Sequence, residues 1–187
     1  MTARAVHCAD ALAWLAAQTP RPEHAFVTSL PDVSEVSMPL ETWKGWFRQA
    51  AEDSRAELLW HRIACRLPPG THGMGRPSYA HLLCFARGFR PAAPVAMPDV
   101  IADSGDKLWV RGIGWLACAH AVGFVARHTP ARTVVDPFCG RGTVLAAANA
   151  AGLDAVGVDL SPGRCRKART LAASEVPEAA LRLLGKG

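Results

Sequence analysis

The residues best placed to do chemistry crowd into one stretch, Val134–Asp159, which reads VVDPFCGRGTVLAAANAAGLDAVGVD. A β-branched run ends in Asp136, and a turn holding Gly140 and Gly142 follows. An alanine-rich helical segment comes next, then Gly152, then a second apolar run that closes on Asp159. That order is strand, glycine loop, helix, strand: a βαβ unit with its ligand-facing residues at the carboxyl ends of the strands. Glycines there let the backbone turn sharply and approach a ligand where a Cβ would intrude. An acid roughly twenty residues beyond such a loop can accept hydrogen bonds from both hydroxyls of a ribose, and Asp159 holds that position. The loop lacks the third glycine of the dinucleotide fingerprint, and no Lys-Ser/Thr pair follows as a phosphate-binding loop requires. An ordinary βαβ unit with a tight turn is the plainer alternative.

The run Asp136-Pro137-Phe138-Cys139-Gly140-Arg141-Gly142-Thr143 resembles the D-P-F-x-G-x-G-T motif of class I S-adenosylmethionine-dependent methyltransferases, above all those that methylate exocyclic amino groups of nucleobases. The start of the chain extends the resemblance. Asp10-Ala11-Leu12, then Ser29-Leu30-Pro31-Asp32 after a short strand candidate at His24–Ser29, are similar to segments of the permuted, β-class enzymes, whose catalytic half precedes the cofactor half. The resemblance implies one circularly permuted domain over residues 1–187, with a catalytic half at 1–90 and a cofactor-binding half at 107–187. It implies a three-layer α/β Rossmann-like fold, mostly parallel, with S-adenosyl-L-methionine as cofactor. Asp136, Pro137, Phe138, Cys139, Gly140, Gly142, Thr143 and Asp159 would hold that cofactor. Asp10 would accept from the adenine amino group, cap the helix that follows it, or do both. Trp109 and Arg111 stand where the family holds the methionine end. Arg111 would pair with its carboxylate and Trp109 would cover it, against the plainer reading of a surface arginine and a packed tryptophan.

In the resembled enzymes a D/N/S-P-P-Y/F loop accepts hydrogen bonds from the amine and stacks the base on its aromatic ring. Here Ser29 replaces the first acceptor, and the Leu30 carbonyl supplies the second because Pro31 biases Leu30 toward an extended conformation. Asp32 cannot stack on a base; it can accept a proton or hydrogen bond, or cap the next segment. The leading reading is therefore an N-methyltransferase acting on an exocyclic amine of a nucleic-acid base, DNA or RNA. A methyltransferase for a small molecule or protein is the first alternative, favoured by Asp32 and by the lack of room for a separate target-recognition domain. A non-catalytic cofactor-binding protein is the second, favoured by a short sheet.

The elements that must position these residues are legible around them. At 187 residues a chain can bury about 70% of its unfolded surface in one domain. A strand beginning at Val6 passes into an amphipathic helix that ends near Thr19-Pro20. Pro39–Leu59 carries Trp43, Trp46, Phe47 and Leu58 at helical spacing. Glu57–Cys65 and Ser78–Phe85 read as an antiparallel edge hairpin, joined by a Gly/Pro-rich loop at Leu67–Pro77 that is either a lid or a plain hairpin tip. The span from Asp32 to Glu57 leaves room for one helix only, so the sheet is expected to be one strand short, with six. Arg90–Asp106 reads as a crossing loop, and a helix is expected at about Ile113–His128. After Asp159, Ser161 and Pro162 suit the start of a helix bearing Arg164, Arg166, Lys167 and Arg169, read as a solvated face that can reach phosphate.

Composition excludes more than it proves. No apolar run is long enough to span a membrane, and the start of the chain has no signal-peptide design. The six cysteines show no C-x-x-C pair, which points to a reduced, cytoplasmic setting without a zinc site. His61, His72 and His81 lack metal-ligand spacing. The net charge of +5 permits a polyanionic partner without demonstrating one.

Overall fold

The computed structural model describes residues 2–29, 39, 41–45, 57–72 and 78–185. In chain order the strands are β1 (Arg4–Cys8), β2 (His24–Phe26), β3 (Glu57–Cys65), β4 (Tyr79–Ala86), β5 (Val100–Ile101), β6 (Thr133–Asp136) and β7 (Asp154–Asp159). The helices are α1 (Ala11–Ala16), α2 (Trp115–His128), α3 (Thr143–Ala151), α4 (Pro162–Thr170) and α5 (Glu178–Leu183), and residues 41–45 are also helical.

Four strands form a wholly parallel sheet in the order β1-β7-β6-β2. Its central strands read as near-continuous apolar runs because both faces are covered; Val134, Val135 and Val158 are fully buried. Over β6 and β7 packs α3, which in turn packs on α2 and α5. Leu145, Val122, Cys118 and Ala119 make the centre of this layer. Helix α4 packs beside β1 and β7 through Cys165 and Ala168, both buried, which leaves its charged residues outward. The start of the chain is stitched to its far end: Ala3 N donates to Asp154 Oδ1 at 2.7 Å, and Arg4 Nε donates to Asn149 Oδ1 at 2.8 Å.

The remaining strands form a second sheet, β4-β3-β5. The β3–β4 pair is the antiparallel hairpin expected from the sequence, with a register shift between Leu58 and Trp60. Trp60 meets Phe124 of α2 edge-on, with ring centroids 5.2 Å apart, which ties this sheet to the main core.

Three details depart from expectation. Seven strands are present among the described residues instead of six, because β5 lies inside the Pro-rich crossing loop. It has two residues, too few for any periodicity, and is created by pairing with Ile63 and Ala64 of β3. The hairpin is not an edge of the parallel sheet: no described residue links the two sheets by ladder hydrogen bonds. The helix expected over Pro39–Leu59 is helical at 41–45 and gives way to β3 by Glu57; residues 46–56 lie outside the described residues.

Candidate functional site

The two parallel neighbours β2 and β6 end together, since Phe26 pairs with Val135. That register delivers Thr28 and Ser29 beside Asp136. The Thr28 hydroxyl donates to Asp136 Oδ1 at 2.6 Å, and Phe138 N donates to the same oxygen at 3.1 Å. Asp136 is buried, and burial pushes its carboxyl up to about 7; the two hydrogen bonds oppose that rise and the nearby Asp159 charge adds to it. Pro137 is buried, and Cys139 N donates to Val158 O at 2.9 Å, fixing the loop onto β7. Burial raises the Cys139 thiol far above its ordinary value, and its side chain packs in the core beneath the loop.

Gly142 caps α3 with φ +91, and a Cβ there would lie 2.8 Å from the Cα of Ala168. This is a close approach of two backbones that only glycine permits. Gly140 (φ +55) lies under Trp109: a Cβ on it would sit 3.4 Å from the indole nitrogen. Thr143 is buried at the first turn of α3.

Asp159, at the end of β7, is 8% exposed. Its Oδ2 accepts from Gly140 N at 3.1 Å, while Oδ1 accepts from Ser161 N at 2.7 Å and from Arg164 Nε at 2.9 Å. Arg164 also lies over the Trp109 ring, 5.4 Å from its centroid. Asp159, Arg164 and Trp109 thus form a continuous cover across the glycine loop.

Ser29, Trp109, Arg111, Asp136, Phe138, Cys139, Gly140 and Thr143 line one cleft of about 20 Å³, which is room for about one water. Glycine backbone, a terminal carboxylate and Arg111 at the rim fit a nucleoside carrying a charged tail. A ligand of that size has no room there while the Trp109 indole lies over Gly140. Asp10 lies apart, at the carboxyl end of β1, which pairs with β7. Its Oδ1 accepts from Ala13 N at 2.8 Å as the cap of α1. Leu30, Pro31 and Asp32 lie outside the described residues.

Sequence reasoning missed Thr28 and the pairing of Arg164. Thr28 becomes relevant through strand register, which no local pattern encodes. Arg164 carried a usable signal: with Pro162 opening the helix, the first turn folds back over the acid that ends β7. Across the hairpin, His61 Nε2 and His81 Nδ1 lie 2.8 Å apart on an exposed face.

The order of strands, the glycine loop and the acid at the end of β7 define a Rossmann-like methyltransferase fold. Known structures of that fold superpose on the chain along almost its whole length. A candidate DNA modification methylase of Thermus thermophilus does so as a selenomethionine derivative, at 17% identity, a TM-score of 0.64, and over 95% of this chain and 97% of that one. The same methylase in complex with S-adenosyl-L-methionine gives a TM-score of 0.63 over the same shares, also at 17% identity. The SAM complex of M1.HpyAVI matches at 14% identity and a TM-score of 0.58, over 89% of this chain and 98% of that one. No protein-family profile and no curated protein matches the chain in sequence.

Proposed function

We propose that the chain is an S-adenosyl-L-methionine-dependent N-methyltransferase acting on the exocyclic amine of a nucleic-acid base. The observation that carries this reading is the meeting of Ser29 with the glycine loop and Thr143 in one cleft. An amine acceptor from the first half of the chain thereby faces the loop of the second. Residues 1–90 supply the amine side and residues 107–187 the cofactor side of one unit. The names of two structural neighbours, DNA modification methylase and a SAM complex, agree with it.

When bound, the cofactor supplies a methyl group already activated by its sulfonium, which leaves alignment as the main task of the protein. Asp159 would hold the ribose, Gly140 would give the backbone clearance, and Arg111 would pair with the carboxylate with Trp109 as its cover. Asp10 uses its second carboxylate oxygen toward the adenine amine while the first caps α1. Ser29 and the Leu30 carbonyl accept from the substrate amine and orient its lone pair. Asp136 holds Ser29 in place through its bond to Thr28. Methyl transfer to a small molecule or protein is the second reading, favoured by Asp32 where the resembled enzymes carry an aromatic.

Two measurements test the proposal. Labelled methyl groups are expected in DNA or RNA when the chain is incubated with cofactor and total nucleic acid; label confined to small molecules or protein selects the second reading. Hydrogen bonds to a charged group are worth about 1.5–3 kcal/mol, so Asp159→Ala should weaken cofactor binding by calorimetry at least about tenfold. Unchanged affinity would remove Asp159 from the site.

A further inference from the structure

Helix α4 carries Arg164, Arg166, Lys167 and Arg169 and no acid. Its two inward residues, Cys165 and Ala168, are fully buried, so the cations share the outward side. Two are tethered: Arg164 to Asp159, and Arg169 to Val6 O at 2.8 Å. The side chains of Arg166 and Lys167 are exposed and form no hydrogen bond or ion pair among the described residues. Beside them, Arg141 projects from the glycine loop, held by Leu108 O at 3.1 Å. The result is an open groove of about 550 Å³ whose walls include Arg141, Arg164, Arg166 and Lys167, the hydroxyls of Ser161 and Thr170, and no carboxylate. Against a net charge of +5 for the whole chain, four cations around one groove are a strong local concentration.

Helix dipole chemistry does not account for it. Cations are stabilising near a helix C-terminus and unfavourable near its N-terminus, yet Arg164 lies in the first turn of α4 and Arg166 at its middle. Asp159 answers for Arg164 only. A lipid surface takes large apolar side chains set among the basic ones; residues 161–170 expose none, and Leu160 just before them is a lone one, 70% exposed. A run of phosphates is what this donor set matches, because each cation neutralises a phosphate and releases a condensed counterion.

We infer that the groove between Arg141 and α4 binds the phosphodiester backbone of a nucleic acid. This deepens the proposed function and rests on it for the identity of the polyanion. Arg164 belongs to both the groove and the cover over Gly140, so a strand lying in the groove runs past the edge of the methyl-transfer cleft.

The test is fluorescence anisotropy of labelled single-stranded and duplex oligonucleotides from low to moderate salt, with the parent chain and Arg166→Glu/Lys167→Glu. Loss of two phosphate contacts should weaken binding at least about tenfold at low salt. It should also flatten the log–log salt slope by about 1.4 for single strands or about 1.8 for duplex. Arg87→Glu/Arg132→Glu makes the same change in net charge on exposed residues elsewhere and should leave the slope in place. The neutral pair Arg166→Gln/Lys167→Gln serves if the reversed pair fails to fold and should flatten the slope equally. Parent-like binding by the groove variants overturns the inference, as does equal weakening by the control pair. So does a parent chain that binds anionic phosphatidylserine vesicles but no oligonucleotide. Cofactor calorimetry and methyl transfer are read in parallel. Methylation of nucleic acid with an unaffected slope sinks the groove alone, while a lost slope without any methylation sinks the proposed reaction and keeps the groove.

Discussion

The parallel sheet with its helices and the three-stranded sheet are built to different tolerances. In the first, Leu145, Val144, Val134 and Val135 are at most 1% exposed, and the glycine loop touches its neighbours at backbone distance. In the second, Leu58, Tyr79, Leu83 and Phe85 are 39–53% exposed on the hairpin. Rigid packing in one region fixes the glycine loop and the acid that ends β7. Looser packing in the other leaves the surface of the hairpin open to variation. Inside the first lies a seam between the two halves of the chain: the buried carboxylate Asp136, with Thr28 bonded to it.

That seam yields the largest expected effect. Burial raises the Asp136 carboxyl from 3.8 to about 7. An acid raised in the native state keeps its proton while the unfolded chain loses it, so stability falls as pH climbs from about 4 to about 7 and is level above that. At about 1.4 kcal/mol per unit the loss approaches roughly 4 kcal/mol. Asp136→Asn cannot titrate, so the gap between parent and variant in denaturant melts should change by that amount across this window. A constant gap would mean that Asp136 is ionised when folded.

Next comes the packing contrast itself. Leu145→Ala should cost about 2–5 kcal/mol, and Leu83→Ala, on the exposed hairpin face, less than about 1 kcal/mol. Equal losses in urea melts would erase the distinction between the two regions.

The smallest effect on stability is the most informative about chemistry. Ser29 is exposed, so Ser29→Ala should leave the melting curve within about 0.5 kcal/mol of the parent. If Ser29 accepts from the amine mainly in the transition state, single-turnover methyl transfer should slow while cofactor affinity holds. A variant with the parent rate would move the catalytic role off this residue.

The two regions also differed in what the sequence disclosed. Val134–Asp159 was legible in full, because strand, turn, helix and strand each follow from local patterns, and the structure returns them as Thr133–Asp136, Thr143–Ala151 and Asp154–Asp159. The β3–β4 hairpin was legible too, from two apolar runs flanking a Gly/Pro loop. What sequence did not reveal depends on contacts between distant segments: the two-residue β5, the break between the sheets, and the hydroxyl of Thr28 on Asp136. Arg164 was visible but assigned to solvent, since a charge run does not disclose which member has a buried partner.

The pairing of β1 with β7 carries a consequence for biosynthesis. Strand β1 is made long before its neighbour β7, Cys8 lying opposite Asp159. Chains emerge at about 5–20 residues per second, so β1 waits on the order of ten seconds or longer before its partner exists. Throughout that wait its backbone donors and acceptors have no ladder, and an unpaired strand edge invites other chains. Arg4 within the strand is one guard against that, since a charged residue blunts such an edge. It later donates to Asn149 and to the carbonyls of Ala168 and Leu171. The residue that keeps the nascent strand solitary is the one that finally clamps it to the end of the fold.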